Sequence, residues 1–386
     1  MRRTGIVLAA SLAWMGCAQA DEAPAVKPLA QPATIDARLS PDGKRVAVIA
    51  TYQGRPALYV HSLVEGGTDG KIVRSEDYTI GWVRWKDDRH LIAGVKKNSG
   101  SPVTRLVSVD PSGEHLMMIG EPVGGFPNTG STDLGIPVLH PKSEDRVLSV
   151  LPKASGEILQ EVLDKFPAHG EDVGLAIYRV DIDTADHALA DKGDYRMSGY
   201  VIDGNDVARI GIERGKDETT FYGRADKYAD WREIQRVKAG QGEIFTPLAF
   251  QSDNQRLYVL SNKGPGGKAG LWSFDAVSGR FADLIDEQAD LSQEASAEDG
   301  VLHGYRRKDG SWVYLDPAWQ ADYLAVAKAM KGAEVRIVDR AADGLHVLLE
   351  AHQKNQPKVW WVLDRSVKPL NLWVALEEYP DSQPSK

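Results

Sequence analysis

Cysteine is nearly missing from this chain: its 386 residues hold one, Cys17. That residue falls inside a stretch that reads as a leader, residues 1–20. Arg2 and Arg3 stand ahead of an apolar core from Ile6 to Met15, and the small-residue site Ala18-Gln19-Ala20 precedes Asp21. Cleavage after Ala20 leaves no thiol, which removes disulfides, thiol catalysis and cysteine-ligated zinc together. The alternative for Cys17 is lipid attachment at Gly16-Cys17, with Trp14 and Met15 standing where a lipobox carries Leu and a small residue. Long apolar runs are missing too. The leader core is too short for a bilayer and nothing after it is long enough, so the expectation is an exported, periplasmic protein with no transmembrane segment.

Excess positive charge is also absent. The net charge is −9, and loss of Arg2 and Arg3 with the leader makes it more negative by two. The close basic pairs Lys96-Lys97 and Arg306-Arg307 fall among acidic neighbours, so a nucleic-acid partner is excluded. The nine histidines show no H-x-H, H-x-x-x-H or H-E-x-x-H spacing, and no histidine metal site or cofactor is expected. Asp181, Asp183 and Asp186 lack the Gly and Glu of a calcium loop and read as a hairpin turn. Gly264-Pro265-Gly266-Gly267-Lys268-Ala269 nominally fits a dinucleotide fingerprint, but the strand-like Gly270 to Phe274 follows where a helix is needed. No serine has a glycine two positions before it, as a nucleophile elbow requires, so no catalytic residue is assigned.

What is abundant is a repeated phrase of short apolar runs separated by Asp and Gly turns. Its cleanest copy is Ile35 to Leu39, the turn Ser40-Pro41-Asp42-Gly43, Arg45 to Thr51, a polar loop, and Ala57 to Leu63. Proline presets φ and glycine accepts φ > 0, so the turn has a mechanism. Further copies start near Ile80, Ile136, Tyr200, Pro247, Val301 and Glu334, the sixth being the weakest. A period of roughly 40 to 50 residues with four short strands predicts an all-β chain. The expected fold is a β-propeller of seven blades of four antiparallel strands, or six if the weak copy has lost its strands. The divisions expected are a linker over 21–34, the propeller over 35–375 and a disordered polar tail over 376–386.

Two helical insertions are expected to interrupt the strands. Asp316 can cap a helix starting at Pro317, with Trp319, Tyr323, Leu324, Ala327 and Met330 at helical spacing and Gly332 at its end. The second lies within Pro152 to Gly174, where Ile158, Leu159, Val162, Leu163 and Phe166 fall on one helical face. Packing against a blade edge and contact with a partner both explain such a face, and these five residues are the candidate partner contact.

The phrase Arg38-Leu39-Ser40-Pro41-Asp42-Gly43-Lys44-Arg45-Val46-Ala47 resembles the entry into the N-terminal propeller of prolyl oligopeptidase family serine peptidases, most of all the bacterial dipeptidyl-aminopeptidase and acylaminoacyl-peptidase types. Trp82-Val83-Arg84-Trp85-Lys86-Asp87-Asp88-Arg89-His90-Leu91 is similar to that group's second blade. Tyr314-Leu315-Asp316-Pro317, Asp343-Gly344 and Trp360-Trp361-Val362-Leu363-Asp364 are similar to its last two. The resemblance runs from about Leu29 to Trp373 and implies a propeller that in the family accompanies an α/β-hydrolase domain. It implies peptides, a protein partner, a separate hydrolase chain or self-association as the partner class. Two functions are therefore expected: a non-catalytic binding propeller, or the propeller half of a split or truncated serine peptidase.

Overall fold

The Pro41-Asp42-Gly43 corner shows how the repeated turn is made. Ser40 Oγ donates to Asp42 Oδ1 (2.7 Å), the same carboxylate oxygen accepts from Lys44 N–H (3.0 Å), and Arg45 N–H donates to Ser40 Oγ (2.9 Å). Gly43 sits at φ 73°, where a side chain would be strained. Side-chain carboxylates close onto backbone amides in the same way at Asp87, Asp110, Asp181, Asp203, Asp253, Asp275 and Asp343. Each strand pair therefore begins at a turn whose shape is set locally.

The computed structural model describes residues 34–64, 66–99, 104–119, 157–166, 172–292, 295–298, 300–353, 358–365 and 371–374. These form seven antiparallel sheets, each made from neighbouring stretches of chain. Sheet one holds β1 (Thr34–Leu39), β2 (Arg45–Tyr52) and β3 (Arg55–Ser62), and sheet two holds β4 (Tyr78–Asp87), β5 (His90–Lys97), β6 (Thr104–Val109) and β7 (Leu116–Met118). Sheet three holds β8 (Glu157–Phe166), β9 (Asp172–Asp181) and β10 (His187–Asp191). Sheet four holds β11 (Gly199–Ile202), β12 (Ala208–Arg214), β13 (Glu218–Gly223) and β14 (Arg232–Lys238). Sheet five holds β15 (Phe245–Phe250), β16 (Arg256–Ser261), β17 (Gly270–Asp275) and β18 (Arg280–Asp286). Sheet six holds β19 (Ala295–Glu298), β20 (Val301–Arg306) and β21 (Trp312–Tyr314), followed by the helix α1 (Pro317–Ala329). Sheet seven holds β22 (Ala333–Arg340), β23 (His346–Gln353), β24 (Val359–Asp364) and β25 (Asn371–Val374).

Second strands are covered on both faces, which is why they read as unbroken apolar runs: Val46 to Ala50 in β2 and Leu91 to Val95 in β5 are buried throughout. Sheet one packs on sheet two through Ile49 and Leu58 against Val83 and Leu91. Sheet two meets three through Ile92 and Leu106 against Ala176 and Val180, and three meets four through Ile177 against Ala208. Sheets four and five share Ile210, Phe221, Phe250 and Phe274, while five and six share Leu260, Leu271 and Tyr305. Trp312 and Tyr314 of sheet six pack on Val335 and Val347 of sheet seven. Sheet seven in turn packs on sheet one, through Leu348 and Trp360 against Ala37 and Val48. First strands touch first strands, β22 to β1 to β4 and β11 to β15 to β19, so they form the inner side of the stack.

The helix expected at Pro317 is present. Asp316 accepts from the N–H groups of Ala318 (2.7 Å) and Trp319 (3.3 Å), and Tyr323 and Val326 carry the buried face onto Trp312 and Val335. The helix expected within 152–174 is not: residues 157–166 are the strand β8, paired with β9 from Glu157↔Asp181 to Phe166↔Asp172. Short apolar runs fit both periods, and here ladder pairing with Asp172–Asp181 decides for the strand. The leader and most of the linker, the runs Ile136 to His140 and Arg146 to Leu151 expected in the third copy, and the tail lie outside the described residues.

One hydroxyl ties sheets six and seven together. Tyr314 Oη accepts from Ile337 N–H (2.7 Å) and donates to Ile337 O (3.2 Å), and burial pushes its phenol pKa up. Tyr314→Phe leaves a buried N–H without a partner, and unfolding in urea should show a loss of about 1–3 kcal/mol with an unchanged slope.

Candidate binding face

In a four-stranded meander, the connections from first to second and from third to fourth strand lie at the same end of the sheet. Here those connections also bond from one sheet to the next. Ala342 N–H donates to Pro41 O (2.8 Å), and Asp42 N–H to Asp88 Oδ1 (2.8 Å). His90 Nε2 lies 3.2 Å from Asp183 Oδ1, Arg179 Nη2 lies 3.2 Å from Asp206 Oδ2, and Gly204 N–H donates to Asn254 Oδ1 (2.9 Å). The turns of sheets seven, one, two, three, four and five are thus joined in series into one continuous face. Large apolar side chains stand exposed on it at Val64, Leu116, Val277 and Leu345, and Tyr228 is 86% exposed.

The carboxylates of this face are held ionised by their turns. Burial pushes the carboxyl of Asp275 up, but the hydrogen bonds from Ser278 and Val277 N–H outweigh it and leave it below the usual carboxylate range. The same balance, burial against turn hydrogen bonds, lowers Asp42, Asp87, Asp110, Asp253 and Asp343.

On the inner strands a line of alternating charge crosses three sheets. Asp339 of β22 lies 3.4 Å from Arg38 Nη1, Arg38 Nε lies 3.5 Å from Asp36, and Asp36 lies 2.8 Å from Arg84 Nη1 of β4. Opposite charges face one another throughout, so this line braces sheets seven, one and two. A groove of about 380 Å³ beside β14 is lined by Glu233, Arg236, Lys238, Glu243 and Lys263. Lys263 Nζ is engaged there by Glu243 (2.9 Å) and by Arg236 O (2.7 Å). Among the described residues no group of three or more His, Cys, Asp or Glu is placed to hold a metal ion.

The five residues expected as a partner contact lie on the strand β8, in its ladder with β9, rather than on a helix. Their ladder partners on β9 face two ways. Val180 and Ala176, opposite Ile158 and Val162, pack toward sheet two, whereas Arg179, opposite Leu159, pairs with Asp206 of sheet four. Asp181, Asp183 and Asp186 form the β9–β10 hairpin turn, with Asp181 Oδ1 accepting from Asp183 and Thr184 N–H (both 2.9 Å). The run Gly264 to Ala269 connects β16 to β17.

Comparison with known proteins places this architecture. Dipeptidyl aminopeptidase BIII of Pseudoxanthomonas mexicana is 26% identical over 236 residues, which is 60% of this chain and 33% of that protein. A solved prolyl endopeptidase superposes with a TM-score of 0.50 at 14% identity, covering 91% of this chain and 51% of the other. The chain resembles the N-terminal propeller region of prolyl oligopeptidase family peptidases. A puromycin hydrolase structure is also similar, at 14% identity and a TM-score of 0.47, over 92% of this chain and 55% of its own. No family model matches. The propeller-like chain thus spans one third of the length of the curated relative and about half that of the solved prolyl endopeptidase.

Sequence reasoning missed the buried ion pairs of this propeller. Arg179 and Asp206 are 3% and 4% exposed, and Arg209, 3.1 Å from Asp203, is buried as deeply. The signal was present, since Arg179 and Arg209 interrupt the apolar runs Leu175 to Ile182 and Ala208 to Ile212.

Proposed function

We propose that the seven sheets are the blades of a closed propeller, exported by residues 1–20, that binds a peptide or protein partner on its turn face and carries no catalysis of its own. The observation that supports this most is the continuity of that face: cross-sheet hydrogen bonds and ion pairs fix its turns, and it presents Val64, Leu116, Tyr228, Val277 and Leu345 from five different sheets. The second reading is the propeller half of a dipeptidyl-aminopeptidase-like serine peptidase. It is favoured by the match, which occupies only 33% of the curated relative. Fold alone does not choose between them.

One experiment separates the readings. The exported protein, its intact mass expected to begin at Asp21, is treated with a fluorophosphonate probe and in parallel cross-linked in periplasmic extract. The binding reading expects no labelled serine, and cross-links at the turn face that Tyr228→Glu with Val277→Asp abolishes without shifting the melting temperature. Stoichiometric labelling of a serine supports the peptidase reading. Cross-links confined to 158–166 would return the partner surface to β8.

A further inference from the structure

We propose that Glu243 and Lys263 stand in for a fifth strand and close the outer edge of sheet four to strand addition. β14 is the last strand of that sheet and ladders with β13 alone. In an antiparallel sheet every second residue of such a strand turns its N–H and C=O outward, where any extended chain can pair with them. On β14 two of these groups are already answered by side chains. Lys263 Nζ donates to Arg236 O (2.7 Å), Lys238 N–H donates to Glu243 Oε2 (3.0 Å), and the ammonium and carboxylate meet at 2.9 Å. An added antiparallel strand would bring an N–H to Arg236 O and, two residues along, a C=O to Lys238 N–H. The ion pair supplies that same donor and acceptor.

The pair is held in place by its own frame. Glu243 lies just before β15 and Lys263 just after β16. Asn262 joins these two stretches, its side chain accepting from Ile244 N–H (2.8 Å) and donating to Gly242 O (2.7 Å). Ser261 Oγ joins them again, donating to Ile244 O (2.8 Å) and accepting from Lys263 N–H (3.0 Å). The Lys238 N–H and the Lys263 ammonium hold the Glu243 carboxyl below the usual carboxylate range, so the acceptor stays charged. The pair also covers the half of β14 that most needs it. From Gln235 to Lys238 the ladder with β13 is regular, whereas beyond it the register skips Ile234, and a bulge by itself spoils an edge for pairing.

Amide hydrogen exchange of the full chain tests this, with its mass in solution measured in parallel. In Glu243→Ala the Lys238 amide should exchange at least tenfold faster, while the amides of Gln235 and Val237, which face β13, keep their rates. Glu243→Gln keeps an acceptor and should retain most of the protection. Glu243→Ala with Lys263→Ala frees Arg236 O as well, and light scattering should find a larger mass than for the unaltered protein at the same concentration. Adding Arg236→Pro, which removes an outward N–H and leaves the β13 ladder intact, should restore the lower mass. An unchanged Lys238 rate in Glu243→Ala would overturn the proposal, and so would a double variant no larger than the unaltered protein. A gain in mass that Arg236→Pro leaves in place also overturns it, since the association then runs through another surface. If the proline variant does not fold, the other two comparisons decide alone.

Discussion

Phe274→Ala should lower unfolding stability by about 3–5 kcal/mol, the range for emptying a fully buried aromatic site. Phe274 is 0% exposed, and its ring stands 5.0 Å from Phe245 and 5.1 Å from Phe281 in edge-to-face contacts. The same cluster includes Ile210 and Phe221 of sheet four, so the cavity opens in a seam between two sheets and neither backbone can collapse into it without breaking its ladder. Urea unfolding checks this, with a lower midpoint at constant slope. Phe281→Ala, at a half-buried position in the same cluster, should cost less. A loss at Phe274→Ala no larger than at Phe281→Ala would mean that the two sheets do not press together as described.

Acid should weaken the protein steeply below about pH 4. In Asp42, Asp87, Asp110, Asp253, Asp275 and Asp343 burial pushes the carboxyl up, but the hydrogen bonds of the turn outweigh it, and the native value lies below that of the unfolded chain. An unfolded aspartate titrates near 3.9, so between the two values the unfolded state binds more protons and stability rises with pH. The contribution is complete above roughly pH 5 and is lost as pH falls through the lowered native values. Urea midpoints at pH 7, 5, 4 and 3 should be flat over the first interval and drop over the last. Asp275→Asn keeps an acceptor for Val277 and Ser278 N–H (2.9 and 2.8 Å) while removing one titrating group, and should shallow the drop. A midpoint unchanged from pH 5 to 3 would show that these turns carry no linkage.

The parts of the fold legible beforehand are those whose instructions are local. The run Gly270 to Asp275 coincides with β17, and His90 to Lys97 with β5, because Asp and Gly turns bound them on both sides. The capped helix at Pro317 was legible for the same reason. The strand β8 was not. Ile158, Leu159, Val162, Leu163 and Phe166 satisfy helical spacing, and only pairing with a strand that begins at Asp172 distinguishes the two, which a window of sequence does not contain. The turn face was hidden too. Each turn could be read alone, but the bonds from Asp42 to Asp88 and from Gly204 to Asn254 span 46 and 50 residues and arise only when repeats stack.

Sheet one finds its last neighbour 300 residues away, where Leu39 N–H donates to Asp339 Oδ2 (2.9 Å). Every other seam joins stretches that follow one another, so the chain can assemble progressively as it emerges, except at this join. Until β22 to β24 arrive, the face of sheet one that carries Ala37, Val46 and Val48 has nothing to cover it. Of the seams described, this is the one whose apolar face stays open to aggregation longest while the chain is made.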